Sequence, residues 1–248
     1  MADDVATEEL GDVEENLDGS DDRVVALLGP AHEQVLRYGG LLAEEGVLRG
    51  LIGPREVPRL WERHIVNCAA VASFLPASGT VVDVGTGAGL PGVILAAMRP
   101  ELHIVLLEPM ERRVTWLNEV VAALGLSSAE VVRGRAEELH GTVHADAVTA
   151  RAVAPMDRLA SWTLPLLRTG GVLVAMKGER AQEELDAATD VLAAMGGSPG
   201  QIVDAPTIPG MRPTRLVRVV KVAEVAPVPL RGTRPLPAKA RKASARRR

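Results

Sequence analysis

The chain has 248 residues, 28 of them basic and 32 acidic, with a formal net charge of −4. That length suits one catalytic domain with extensions, and no apolar run reaches the roughly 18 to 20 residues that span a bilayer. The single cysteine, Cys68, excludes an internal disulfide or a thiolate-rich metal cluster. Charge is unevenly spread: residues 1–22 carry ten acids and no base, residues 231–248 carry eight bases and no acid, and the stretch between is nearly neutral. Both ends are poor in large apolar side chains, so neither offsets the entropy of ordering, and both are expected to be disordered. The acidic opening lacks the basic stretch and apolar core of a secretory signal, so a cytoplasmic protein is expected.

Residues 23–76 read as N-terminal helices. Val35, Leu36, Leu41, Leu42 and Leu48 recur at three-to-four spacing and predict one buried face, weakened in the middle by Gly39-Gly40. Gly53-Pro54 interrupts the chain. Pro58, which suits a first helical turn, then opens a helix carrying Arg59, Trp61, Arg63, His64 and Ile65 toward Phe74. From residue 77 short apolar runs alternate with longer helical segments, the pattern of buried parallel strands and their crossover helices. Strands are predicted at 80–84, 103–108, 129–133, 146–150 and 171–176, with helices at 91–98, 110–124, 155–168 and 179–195. The run 214–222 alternates apolar with basic residues and suits an edge or antiparallel strand. The expected fold is α/β, a doubly wound, mostly parallel sheet over residues 77–230 with an N-terminal helical extension. Its ligand should lie beyond the carboxyl ends of the strands.

Asp83 and the loop Gly85-Thr86-Gly87-Ala88-Gly89-Leu90-Pro91-Gly92 come directly after the first predicted strand and before a helix. Gly85, Gly87 and Gly89 permit positive φ and a close backbone approach to a ligand, while the helix start offers N–H groups to an anion. Glu108, 21 residues beyond Gly87, ends the second strand, where an acid accepts ribose hydroxyls. Loop and acid fit a dinucleotide as well as S-adenosylmethionine. A nicotinamide oxidoreductase would usually need a substrate domain after the nucleotide fold, and none is present. Ala136 and Glu137 follow the third strand, where they could meet an adenine, although Glu also starts helices. Arg151 follows the fourth strand at the ligand edge, and Lys177 ends the fifth, open to a substrate phosphate or to solvent. Arg59 and Arg63, four residues apart, could bind phosphate or form a solvated face. His64 could contact RNA or pack beside Trp61. His140 and His144 are separated by Gly141 and lack a carboxylate pattern, so no metal is expected.

Taken together, Arg63-His64-Ile65, Asp83 to Gly92, Leu107-Glu108, Arg135-Ala136-Glu137-Glu138, Thr149 before Arg151-Ala152-Val153-Ala154, and Lys177-Gly178 make the chain resemble the RsmG family. That family, also called glucose-inhibited division protein B, methylates guanine N7 in 16S, small-subunit ribosomal RNA. The resemblance covers residues 36–221. It implies the class I S-adenosylmethionine-dependent methyltransferase fold, cofactor contacts from Gly85, Leu90, Ala136, Glu137 and Arg151, and Glu108 on the ribose. It also implies ribosomal RNA or the 30S subunit as partner, with no membrane and a monomeric enzyme expected. Two departures are visible: Asn67-Cys68 stand where the family often has Asp-Ser, and Gly50-Leu51-Ile52 where it has Asn-Leu-Thr.

Absences narrow the chemistry. No Asp/Asn-Pro-Pro-aromatic segment, common in methylation of exocyclic amines, follows the fourth strand, and Cys68 lies far upstream in a helix that reads as structural. Guanine N7 has an in-plane lone pair and no proton to remove, so alignment matters more than a general base. Two rival readings stand beside methyl transfer, a nicotinamide oxidoreductase and a non-catalytic ribosome-assembly factor.

Overall fold

The computed structural model describes residues 17–225. The basic run 231–248 and most of the acidic run lie outside the described residues. The last part of the acidic run, 17–22, does not behave as a tail: Leu17 is buried, and the Asp21 carboxylate accepts the Arg23 N–H to cap α1, Asp22–Leu28.

After one turn through Pro30, α2 spans His32–Glu45 and buries Val35, Tyr38, Gly39 and Leu42. The expected apolar face is therefore corrected: Leu36 is 42% exposed and Leu48 86% exposed, because Tyr38 and Gly39, not further leucines, complete the i, i+3, i+4, i+7 stripe. The helix expected from Pro58 is also not one helix. A 3-10 segment covers Pro54–Arg59 and a π-helical turn Leu60–Ile65, followed by α3, Val66–Ala69, and a 3-10 turn to Phe74. Pro58 sits inside the first of these, where its missing N–H prevents a continuous α-helical ladder.

The sheet then builds from β1 (Gly79–Val84), α4 (Gly92–Met98), β2 (Leu102–Glu108), α5 (Glu111–Leu124), β3 (Ala129–Arg133), β4 (Ala145–Arg151), α6 (Met156–Thr163), β5 (Leu167–Met176), α7 (Ala181–Ala187), α8 (Thr189–Ala194), β6 (Gln201–Ala205) and β7 (Thr214–Val220). The strand order is β3-β2-β1-β4-β5-β7-β6, with β1 to β5 parallel and β7 antiparallel to both neighbours. The final strand is thus antiparallel but internal, and β6 takes the edge. Helix 179–195 is divided at Ala188, and β5 begins four residues early, at Leu167.

Alternation along the strands sends side chains to two cores. Val81, Ile104, Leu106, Val174 and Leu216 face the N-terminal helices with α4 and α5, whereas Val82, Leu107, Val148, Leu173 and Val217 face α6, α7 and α8. Strand order reverses between β1 and β4, and it is beyond the carboxyl ends of the strands at such a switch point that open α/β sheets bind ligands.

Candidate active site

Asp83, fully buried near the end of β1, accepts the Gly92 N–H on Oδ2 at 2.8 Å and so ties the strand to the start of α4. Only glycine fits at 92: a Cβ there would lie 2.3 Å from Leu106 and 2.6 Å from Asp83 Oδ2. Burial pushes the Asp83 carboxyl up to about 7, despite the nearby Thr86 hydroxyl, the Gly92 amide and Arg151. Between these two residues the loop turns through positive φ at Gly85, Gly87 and Gly89. The Gly85 and Thr86 N–H groups donate to the Leu107 carbonyl at 2.9 and 3.2 Å.

Glu108 ends β2 with a buried carboxylate. Its Oε2 accepts the Gly87 N–H at 3.0 Å and its Oε1 the Met110 N–H at 2.9 Å, while Arg113 Nη1 lies 3.7 Å from Oε2. Next to this strand end, Gly134 N donates to the Glu108 carbonyl at 3.2 Å and the chain enters a 3-10 turn, Ala136–Leu139, in which Ala136 is buried and Glu137 half-buried. The glycine loop, Glu108 and the turn carrying Ala136 and Glu137 are thus brought together at neighbouring strand ends.

Two residues that the sequence reading missed hold the loop from behind. Tyr38 and Trp116 are buried, and both donate to the Ala88 carbonyl, at 3.1 Å from Tyr38 Oη and 2.7 Å from Trp116 Nε1. Tyr38, the only tyrosine in the chain, falls on the helical stripe with Val35 and Leu42, which was the available signal.

Arg151 leaves β4 toward the N-terminal helices. Its guanidinium donates to Cys68 Sγ at 3.4 Å, to the Arg63 carbonyl at 3.3 Å and to His64 Nδ1. The next residue, Ala152, has φ +53, a strained conformation for a residue with a Cβ, and Val153 then lies over Gly85. His64 Nε2 meets Glu56 Oε2 at 2.6 Å, and Arg63 pairs with Glu56 Oε1 at 3.3 Å. Arg59 pairs with Glu62 at 3.1 Å. His64, Arg63 and Arg151 thus form one cluster, with Arg59 on the adjoining segment.

Cys68, distant in sequence, is brought to the edge of this cluster. Burial nevertheless pushes its thiol up to about 11, so it stays protonated near neutral pH. The departure Asn67 is also engaged, accepting the Thr214 hydroxyl at 2.7 Å. Lys177 is not open to water: its side chain is 9% exposed, and Nζ donates to the Ala154 carbonyl and to Glu184 Oε2, both at 2.7 Å. Glu184 Oε2 also accepts the Met156 N–H at 3.1 Å, so this trio pins the loop after Arg151. Among the described residues no group of three or more His, Cys, Asp or Glu is arranged to hold a metal ion. No described helix is long and apolar enough to cross a membrane.

This sheet order, with a glycine loop after β1 and an acid ending β2, defines a class I S-adenosylmethionine-dependent methyltransferase fold. An S-adenosylmethionine-dependent O-methyltransferase from Thermotoga maritima shares it with a TM-score of 0.53 at 14% identity, over 68% of this chain and 71% of that one. Residues 31–207 match the family model GidB, rRNA small subunit methyltransferase G. The ribosomal RNA small subunit methyltransferase G of Beutenbergia cavernae is 55% identical over 78% of this chain and 91% of its own length, and that of Salinispora tropica 46% identical over 89% and 92%. The chain belongs to this family.

Proposed function

We propose that the protein transfers the methyl group of S-adenosylmethionine to N7 of one guanine in 16S ribosomal RNA, as a monomer acting in the cytoplasm on naked RNA or the 30S subunit. The observation that carries this reading is the family match over residues 31–207, which takes in the glycine loop, Glu108, Ala136, Glu137 and Arg151. Neither the oxidoreductase nor the non-catalytic reading gains support from any relative.

The residues present fit the cofactor. Thr149 Oγ1 is buried without a hydrogen-bond partner, Asp83 Oδ1 and Thr86 Oγ1 are close enough to act on each other but have no other partner, and Asp83 and Thr149 are register neighbours on β1 and β4. Buried polar atoms left unsatisfied are costly, so a polar ligand seated beside them would relieve that cost. Glu108 would hold the ribose hydroxyls, Ala136 and Glu137 would border the adenine, and the backbone from Gly85 to Leu90 would receive the methionine end. When bound, the cofactor supplies an electrophilic sulfonium methyl group.

Guanine N7 offers its lone pair without deprotonation, so the work left to the protein is alignment and exclusion of water. The protonated, buried Cys68 does not provide the thiolate that base-carbon methylation requires. N7 faces the major groove, which is deep and narrow in A-form RNA, so the target guanine lies in a loop or distorted segment. Incubation with methyl-labelled S-adenosylmethionine and either naked small-subunit RNA or 30S particles, followed by digestion and mass spectrometry, should yield 7-methylguanosine at one position. Label on an exocyclic amine or a base carbon, or no label on either substrate, overturns the proposal.

A further inference from the structure

His64 stands between a cation and an anion that come from different parts of the fold. Arg151 reaches it from the end of β4, and Glu56 from the 3-10 segment Pro54–Arg59. A guanidinium has only donors, so His64 Nδ1 must accept, and an ionised carboxylate only accepts, so Nε2 must donate. One proton on Nε2 satisfies both neighbours, whereas a second proton on Nδ1 would point at Arg151.

We infer that neutral His64, hydrogen-bonded through Nδ1 to Arg151 and through Nε2 to Glu56, is the positioning residue that sets the Arg151 guanidinium at the methyl-transfer site. The guanidinium lies on the same strand end as Thr149 and is close enough to Asp83 to lower the pKa of that carboxyl, so its placement bears on the carboxyl ends of β1 and β4. Arg151 Nη2 is shared between His64 and the Arg63 carbonyl while Nη1 meets Cys68 Sγ, which leaves His64 as the one group hydrogen-bonded to the guanidinium that titrates between pH 4 and 8; Asp83, at about 7, acts on it only through space. Charges facing the imidazole are Arg151 from β4, Glu56 from the 3-10 segment and Arg63 from its own π-helical turn. Burial, and after it Arg151, lower the His64 pKa below its ordinary 6.5, while Glu56 opposes them. The imidazole is therefore neutral at pH 7 and becomes charged only as pH falls below that value. Protonation breaks the Arg151 contact and adds a second positive charge beside a base that itself becomes cationic on methylation. This last step rests on the N7 reading given above; the hydrogen-bond geometry does not.

The test separates the two. Nitrogen-detected NMR of the full chain, with the His64→Asn variant used for assignment, should show the Nε2–H tautomer at pH 7.5 and a His64 midpoint below 6.5. An Nδ1–H tautomer, or a midpoint above 6.5, overturns the inference whether or not RNA is methylated. In the methylation assay, His64→Leu should lower kcat about tenfold, the equivalent of one hydrogen bond of about 1.4 kcal/mol, with KM for S-adenosylmethionine changed less. His64→Asn keeps an acceptor near Nδ1 and should recover much of kcat while losing the part of the acidic fall in rate that comes from His64 protonation, the part set by Asp83 near pH 7 remaining. In an Arg151→Gln background, His64→Leu should add no further loss. Independent, multiplying losses, or an unchanged acidic limb in His64→Asn, refute positioning through Arg151. Absence of methylation in the unsubstituted protein refutes the proposed function alone and leaves the NMR result to decide the geometry.

Discussion

Glu108 already accepts two amide hydrogens, yet each carboxylate oxygen has a further lone pair to offer a ribose diol. Replacing it with Ala should weaken S-adenosylmethionine binding by about 1.5 to 3 kcal/mol, the range for hydrogen bonds to a charged group; calorimetry giving equal affinities would remove Glu108 from the ribose site. Asp83 carries a different consequence. Its folded pKa of about 7 stands above the ordinary 3.8, so the folded state holds the proton more tightly than the unfolded one. The resulting stability is full below pH 3.8 and is lost as pH rises through 7, a change on the order of 4 kcal/mol. Asp83→Asn keeps an oxygen for the Gly92 N–H and avoids the buried charge. It should melt higher than the unsubstituted protein at pH 8, with the difference closing toward pH 4, while binding the cofactor more weakly. A constant difference across that range would contradict the assignment. At this scale the sequence was legible where residues act locally: the glycine loop and Glu108 follow their own strands. The contacts around Arg151 were not, because Arg151 and His64 are 87 residues apart and no periodicity links them.

Elements that are buried on both faces were the most readable, since β1, β2 and β4 appear as short apolar runs whose ends match the expected strands within a residue or two. The edge strand β6 was not read at all. Its Gln201 and Asp204 are exposed, and a half-exposed five-residue strand leaves no apolar run. In α2 the leucines drew attention from Tyr38, whose hydroxyl reaches through the core to the Ala88 carbonyl. That contact makes a helix outside the sheet part of the glycine loop's support. Tyr38→Phe removes one of the two donors to this carbonyl and leaves Trp116 in place, so chemical denaturation should show a loss of about 0.5 to 1.5 kcal/mol. Cofactor affinity should fall as well, because the loop gains freedom; unchanged stability and affinity together would mean that Trp116 alone fixes the loop.

Across the whole molecule, the change of rhythm at residue 77 marks where strands begin, but the apolar packing does not stop there. One continuous cluster joins Leu17, Val24, Tyr38 and Ile65 to Val81, Ile104, Leu106 and Leu216 of the sheet. The N-terminal helices are thus the cover of one sheet face, which among the described residues they share with α4 and α5. Sequence rhythm reports the local backbone, whereas this packing joins residues up to two hundred positions apart, which is why a helical extension and a sheet domain could be read separately. If the two share a core, they must unfold together. Calorimetry of the full chain should show a single transition for helices and sheet, and a chain beginning at residue 77 should lose cooperative unfolding and expose the Val81, Ile104 and Leu106 face to dye binding. A shortened chain that melts sharply, or two separate transitions in the full one, would show that the helices dock on an independently stable sheet.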